Sequence, residues 1–162
     1  MTLVPRRRLL CHHAQWDNPF ARILRGEAPA RVVHECETLL TFHDVRPASA
    51  LHLLIIPKRF IQDASQLKPA DAPLVHAMHR RAVLAASSCV DGELVESELA
   101  LGFHWPPAYS VPWLHLHAIY PRATLRQPWK YTRVDFKSPE WVVERLQRMA
   151  LEFRPPSERN EW

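Results

Sequence analysis

The stretch Trp113-Leu114-His115-Leu116-His117-Ala118-Ile119 alternates in character residue by residue, and an extended strand is the conformation that uses such a pattern. A period of two puts Trp113, His115, His117 and Ile119 on one face and Leu114, Leu116 and Ala118 on the other. The small apolar set needs a core beneath it, so the strand belongs to a sheet covered on that side. The opposite face is expected to be open and to present two neighbouring imidazoles. On spacing alone three readings stand side by side. One imidazole attacks phosphorus while the other donates to a phosphate oxygen; the pair binds a metal; or both histidines are structural.

The remaining patterns supply the partners of this strand. Arg31 to Glu35 and Thr38 to His43 are rich in β-branched or aromatic residues, and Leu51 to Ile56 is an apolar run closed by Pro57, which predicts three strands. From Ala70 to Val90, Leu74, Val75, Met78, Ala82, Val83 and Ala86 recur three or four apart until Asp91-Gly92, the pattern of the main helix. Glu98 to Phe103 and Trp113 to Tyr120 predict two more strands, joined through Pro106-Pro107. Asp17-Asn18-Pro19 predicts the start of a short helix ending near Gly26. Ser138-Pro139-Glu140 opens a C-terminal helix with Trp141, Val142, Leu146 and Met149 on one stripe. This order predicts an α+β domain: an antiparallel sheet of about five strands with one main helix and a C-terminal helix. Residues 1–16 read as a flexible arm, 17–153 as the domain and 154–162 as a polar tail.

With 162 residues, 47% of them apolar, the chain has enough material for one real core. No apolar run approaches the roughly 20 residues of a membrane span, so a membrane partner is not expected. The net charge of +4 and pI near 9.3 favour anionic ligands without establishing nucleic-acid binding, since Arg6-Arg7-Arg8 accounts for much of the excess. Cys11, Cys36 and Cys89 are odd in number and form no CxxC pair, which fits free thiols in a reducing, intracellular compartment, cytoplasmic or nuclear. The basic, acid-free arm leaves a transit peptide open.

The histidine strand, together with Phe20-Ala21-Arg22-Ile23, Gly26-Glu27-Ala28-Pro29-Ala30, Phe42-His43-Asp44-Val45, Pro47, His52 and Ile55-Ile56-Pro57-Lys58 in that order, resembles the histidine-triad (HIT) superfamily. Within it the Hint branch is the nearest likeness, and Gly102-Phe103-His104-Trp105-Pro106-Pro107 leading to Ser110 is similar to the third Hint subgroup. The tract around Trp129 is similar to aprataxin-type relatives. The resemblance implies that His115 is the nucleophile that becomes nucleotidylated and that His117 contacts phosphate. Ser110 then matches a phosphate or leaving-group contact, and Asp44 the acid that holds the ribose hydroxyls. Phe20, Phe42 and His43 match the wall of the base pocket, with His104 and Trp113 beside the nucleotide. It further implies a hydrolase of nucleoside 5′-phosphoramidates, such as adenosine phosphoramidate or aminoacyl adenylates, with a purine nucleotide as substrate, no cofactor and a homodimer that pairs its sheets. Deadenylation of nucleic-acid ends is the less favoured alternative.

The pattern is incomplete at its first position, where Trp113 replaces histidine, so a nucleotide-binding module with weakened turnover is also implied. The element that supplies zinc thiolates in some relatives reads Asn18-Pro19-Phe20-Ala21 here, so no metal is expected. His52 is then expected to be structural and Trp129 a buried aromatic anchor. His76 and His79 read as a solvated helix face.

Overall fold

The computed structural model describes residues 17–132 and 134–152; the arm, Arg133, Phe153 and the tail lie outside the described residues. Asn18 caps the first helix, α1 (Pro19–Leu24), its side-chain oxygen accepting from the N–H groups of Phe20 and Ala21 at 3.0 Å. Gly26 follows at a φ of +72°, the left-handed conformation that ends a helix at little steric cost. The chain then forms β1 (Val32–Glu35), β2 (Leu39–His43), β3 (Leu51–Pro57), α2 (Ala72–Cys89), β4 (Ala100–His104), β5 (Leu116–Tyr120), β6 (Phe136–Lys137) and α3 (Pro139–Glu152).

All strand pairings are antiparallel, in the order β1-β2-β3-β5-β4-β6. The sheet therefore has six strands where about five were expected. The extra one, β6, is two residues long in a turn-rich, basic segment, too short to carry any periodicity, and pairing with Phe103 and His104 of β4 makes it a strand.

β3 is buried along its whole length because it lies inside the sheet and is covered on both faces, which explains an apolar run in place of alternation. On one face Leu53, Ile55, Leu114, Leu116 and Ala118 pack with Val75, Met78 and Ala82 of α2 and Val142 and Leu146 of α3. On the other, Phe20, Leu40, Phe42, Leu54, Ile56 and Trp113 make a second apolar cluster. The alternation read in the histidine segment holds, but its histidine face is not open. His115 is 9% exposed and His117 6%. The segment from Trp113 to His115 also precedes the ladder, which starts at Leu116; Leu114 is held instead by its N–H donating to the Ile61 carbonyl at 2.7 Å. Among the described residues no helix is long and apolar enough to cross a membrane.

Candidate functional site

β5 runs between β3 and β4, with Leu54 and Gly102 as the Cα partners of His117. Residues of equal parity on all three strands share the His117 face, so His52 of β3 and His104 of β4 converge on it. The His117 ring centroid lies 4.8 Å from that of His115, 5.0 Å from His52 and 4.7 Å from His104. Four imidazoles thus surround one point on the sheet, and Phe20 contacts His115 edge-on at 5.2 Å.

Burial lowers the proton affinity of all four. His52 and His115 are brought down to about 4, and His117 well below the ordinary imidazole value, with neighbouring imidazoles adding repulsion. His104 is lowered as well, again chiefly by burial. All are neutral at pH 7, so each carries a single ring proton, and in His52, His117 and His115 hydrogen bonds fix where it sits. The Ala48 N–H donates to His52 Nδ1 at 3.1 Å, which leaves the His52 proton on Nε2. That Nε2–H donates to His117 Nδ1 at 2.8 Å, which puts the His117 proton on its own Nε2, a buried atom with no partner among the described residues. At His115 the Trp113 carbonyl accepts from Nδ1–H at 2.6 Å, leaving a lone pair on Nε2. A backbone amide and a backbone carbonyl therefore set one imidazole as a base or nucleophile and its neighbour as a donor. That combination suits attack on a phosphorus whose oxygen needs a hydrogen bond.

The same burial has a cost in acid. Below pH 6.5 an unfolded chain protonates these imidazoles while the folded protein, with His52 and His115 near 4, does not. Stability is expected to be full above pH 6.5, to fall between 6.5 and about 4, and to level off once the folded state protonates too. For His52 alone the loss is on the order of 3 kcal/mol. Denaturant midpoints that stay flat from neutral pH to pH 4 would contradict this assignment.

Beside the histidines, Asp44 lines a cleft of about 370 Å³ with His43, Arg31, Val45, Pro47 and His52. Its Oδ1 accepts from the Arg46 N–H at 2.8 Å, and its Oδ2 lies 3.6 Å from His52 Nε2. Burial raises the Asp44 carboxyl and outweighs the lowering by the Arg46 N–H and by nearby His115 and Arg46. Phe20 and Phe42, 5.6 Å apart and edge-on, are buried beneath. Of the expected site residues, the structure brings together His115, His117, His104, Phe20, Phe42, His43 and Asp44.

Two expected site residues are placed differently. Ser110 is exposed in the loop between β4 and β5 and hydrogen-bonds none of the four histidines among the described residues. Trp113 is 1% exposed, its indole N–H donates to the Pro57 carbonyl at 2.9 Å, and Phe60 packs edge-on against it at 5.2 Å. A large indole meets the apolar cluster there before it can meet solvent.

His52 is more than structural, since its contact with His117 makes it part of the site. Its parity with Leu54 and Ile56 inside the apolar run was the available signal. The metal question changes with it. Ligand atoms of Asp44, His52 and His117 lie within 4.8 Å of one another, the one set among the described residues that fits an ion, although here two of those nitrogens share a proton. Trp129 is 66% exposed, so it is not the anchor of its segment. Tyr131 fills that role, 5.3 Å from the His104 ring and 5.2 Å from Phe136; the interleaved aromatic and basic Trp129-Lys130-Tyr131 was its signal in the sequence, whereas Phe136 carried none.

The family described as "Scavenger mRNA decapping enzyme C-term binding" matches residues 17–130. The uncharacterized HIT-like protein slr1234 of Synechocystis is 31% identical over 103 residues, covering 64% of this chain and 89% of that protein. The chain belongs to the histidine-triad (HIT) superfamily. A second HIT relative, the Xenopus tropicalis adenosine 5′-monophosphoramidase HINT3, is 29% identical over 135 residues, covering 79% of this chain and 86% of that one, consistent with the Hint branch. The fold agrees with a solved HIT family hydrolase from Legionella pneumophila at a TM-score of 0.58 and 32% identity, covering 65% of this chain and 99% of the other. By class, then, this HIT protein falls among the family's nucleotide hydrolases.

Proposed function

We propose that the protein hydrolyses nucleoside 5′-phosphoramidates through a nucleotidyl intermediate on His115. The observation that carries this is the fixed pair of tautomers, a lone pair on His115 Nε2 beside an N–H on His117 Nε2 that has no partner among the described residues. Nε2 of His115 forms a bond to the α-phosphorus and the P–N bond breaks, its electron pair leaving with nitrogen, which takes a proton from solvent. His117 keeps its proton and hydrogen-bonds a phosphoryl oxygen as charge builds there. Water then attacks phosphorus, the bond to Nε2 breaks, and the water's proton returns to solvent. The cleft beside Asp44 takes the nucleoside, the carboxylate accepting from the ribose hydroxyls.

The HINT3 name at about 30% identity supports adenosine as the nucleoside. Nucleic-acid deadenylation has only an exposed basic tract, with Arg126 and Lys130, in its favour, and is not adopted. A homodimer is part of the same proposal, and a monomeric mass in equilibrium sedimentation refutes it. The central test is to mix protein with adenosine phosphoramidate, follow AMP release, and map a trapped adenylyl group by mass spectrometry. An adduct on His115 is the expected result. AMP bound tightly and never formed would leave a binding module instead.

A further inference from the structure

We propose that Tyr131 is a further catalytic residue of this site, its phenol hydroxyl donating to one non-bridging oxygen of the α-phosphate while His117 holds the other. The inference rests on the phosphoramidase reading and deepens it.

An α-phosphorus under attack by His115 carries two non-bridging oxygens, and negative charge builds on both. The His117 Nε2–H serves one of them. Ser110, the donor that the sequence offered for the other, is exposed in its loop and hydrogen-bonds none of the four histidines among the described residues. His52 has committed its proton to His117. A second donor has to come from another element, and the chain that leaves β5 brings one.

After Tyr120 that chain crosses the histidine face on its way to β6. It is tied down as it goes. The Ser49 hydroxyl donates to the Pro121 carbonyl at 2.8 Å and meets the Thr124 hydroxyl at 2.7 Å, and the Arg126 N–H donates to the Ala48 carbonyl at 2.7 Å. Ala48 is also the residue whose N–H sets the His52 tautomer, so the crossing segment and the proton order of the imidazoles share one support. Gln127 then takes a φ of 59°, a left-handed conformation that is costly for a residue with a side chain, and the helical turn Pro128–Tyr131 follows it.

At the end of this turn the Tyr131 ring stands 5.3 Å from His104, 6.4 Å from His117 and 5.2 Å from Phe136, and it packs with Ala48, Ala100 and Ile119. Gly102, opposite His117 in the ladder, clears the place, since a Cβ there would run into the Phe136 ring on which Tyr131 leans. The phenol hydroxyl makes no hydrogen bond among the described residues. Burial and the charge of Asp44 raise the phenol above its ordinary value, so it keeps its proton near neutral pH and acts as a donor. The hydroxyl is thus within electrostatic reach of the carboxylate that lines the nucleoside cleft. Ring centres 6.4 Å apart suit two donors, each about 2.8 Å from its acceptor, on a single phosphoryl group.

The test compares wild type and Tyr131→Phe on adenosine phosphoramidate and on the two diastereomers of its thio analogue, in which sulfur replaces one or the other non-bridging oxygen. Tyr131→Phe keeps the ring contacts, so its thermal melt is expected to match wild type, while kcat falls about 10²-fold and KM changes less than about threefold. Sulfur is a weak acceptor, and a donor that has been removed no longer tells it from oxygen, so the rate ratio of the two diastereomers should shift by about tenfold in the variant. Trp129→Ala, on the exposed side of the same turn, is expected to change neither quantity. A kcat for Tyr131→Phe within about threefold of wild type means that the hydroxyl meets nothing in the transition state and overturns the role. An unchanged diastereomer ratio overturns it too, because Tyr131 then acts only through its packing on His104 and Phe136. Both results leave the phosphoramidase reading intact. A wild-type protein that releases no AMP from adenosine phosphoramidate overturns that reading and the role of Tyr131 with it.

Discussion

His115→Ala is expected to lower kcat/KM for adenosine phosphoramidate at least ~10³-fold while AMP affinity changes by less than about threefold. Neither His52 nor His117 can take over. His52 Nδ1 is occupied by the Ala48 N–H and its Nε2 proton is committed to His117, whose two nitrogens are an acceptor and a protonated donor. His104 rests against Tyr131 and Phe136 on the far side of His117. His115 combines a lone pair on Nε2 with a position beside that donor, whereas His104, whose Nδ1 also has no partner among the described residues, keeps that nitrogen buried. AMP affinity survives because the nucleoside contacts lie in the cleft of Asp44 and His43. Truncation also removes the Nδ1–H bond to the Trp113 carbonyl, so His115→Gln serves as a bulkier control, and thermal melts separate lost chemistry from lost fold. Turnover within tenfold of wild type in both variants would mean that another group attacks, or that water attacks directly.

Local pattern revealed the parts of the fold that local chemistry decides. Asn18 and Pro19 announced α1, the spacing of Val75, Met78 and Ala82 announced α2, and the period of two from Trp113 onward assigned the faces of β5 correctly. What stayed hidden depends on contacts between distant segments. β6 has no pattern of its own and exists because β4 offers it an edge. The second apolar cluster, which buries the histidine face, is assembled from α1, β2, β3 and Trp113, and no single window contains it. The protonation pattern was hidden for the same reason, since it begins at an amide in the loop after β2 and ends at a ring on β5.

Trp113→Ala should destabilise the fold by about 3–5 kcal/mol, the ordinary cost of emptying a fully buried large aromatic site. The indole is 1% exposed among Phe20, Leu40, Phe42 and Ile56, with Phe60 against it, and its N–H ties the segment before β5 to the Pro57 carbonyl at the end of β3. That tie matters for chemistry because the carbonyl of the same residue holds the His115 ring in its tautomer. Stability and turnover should therefore fall together in this variant, in contrast to His115→Ala. Trp113→His restores the residue that the HIT pattern carries here, yet it puts a smaller, polar ring into an apolar cluster shaped for an indole. It is expected to cost about 2–4 kcal/mol and to be no faster than wild type. Denaturant unfolding and phosphoramidase rates on the two variants decide the matter. A gain in rate for Trp113→His, or a stability loss under about 1 kcal/mol for Trp113→Ala, would show that the indole is not the brace of this site.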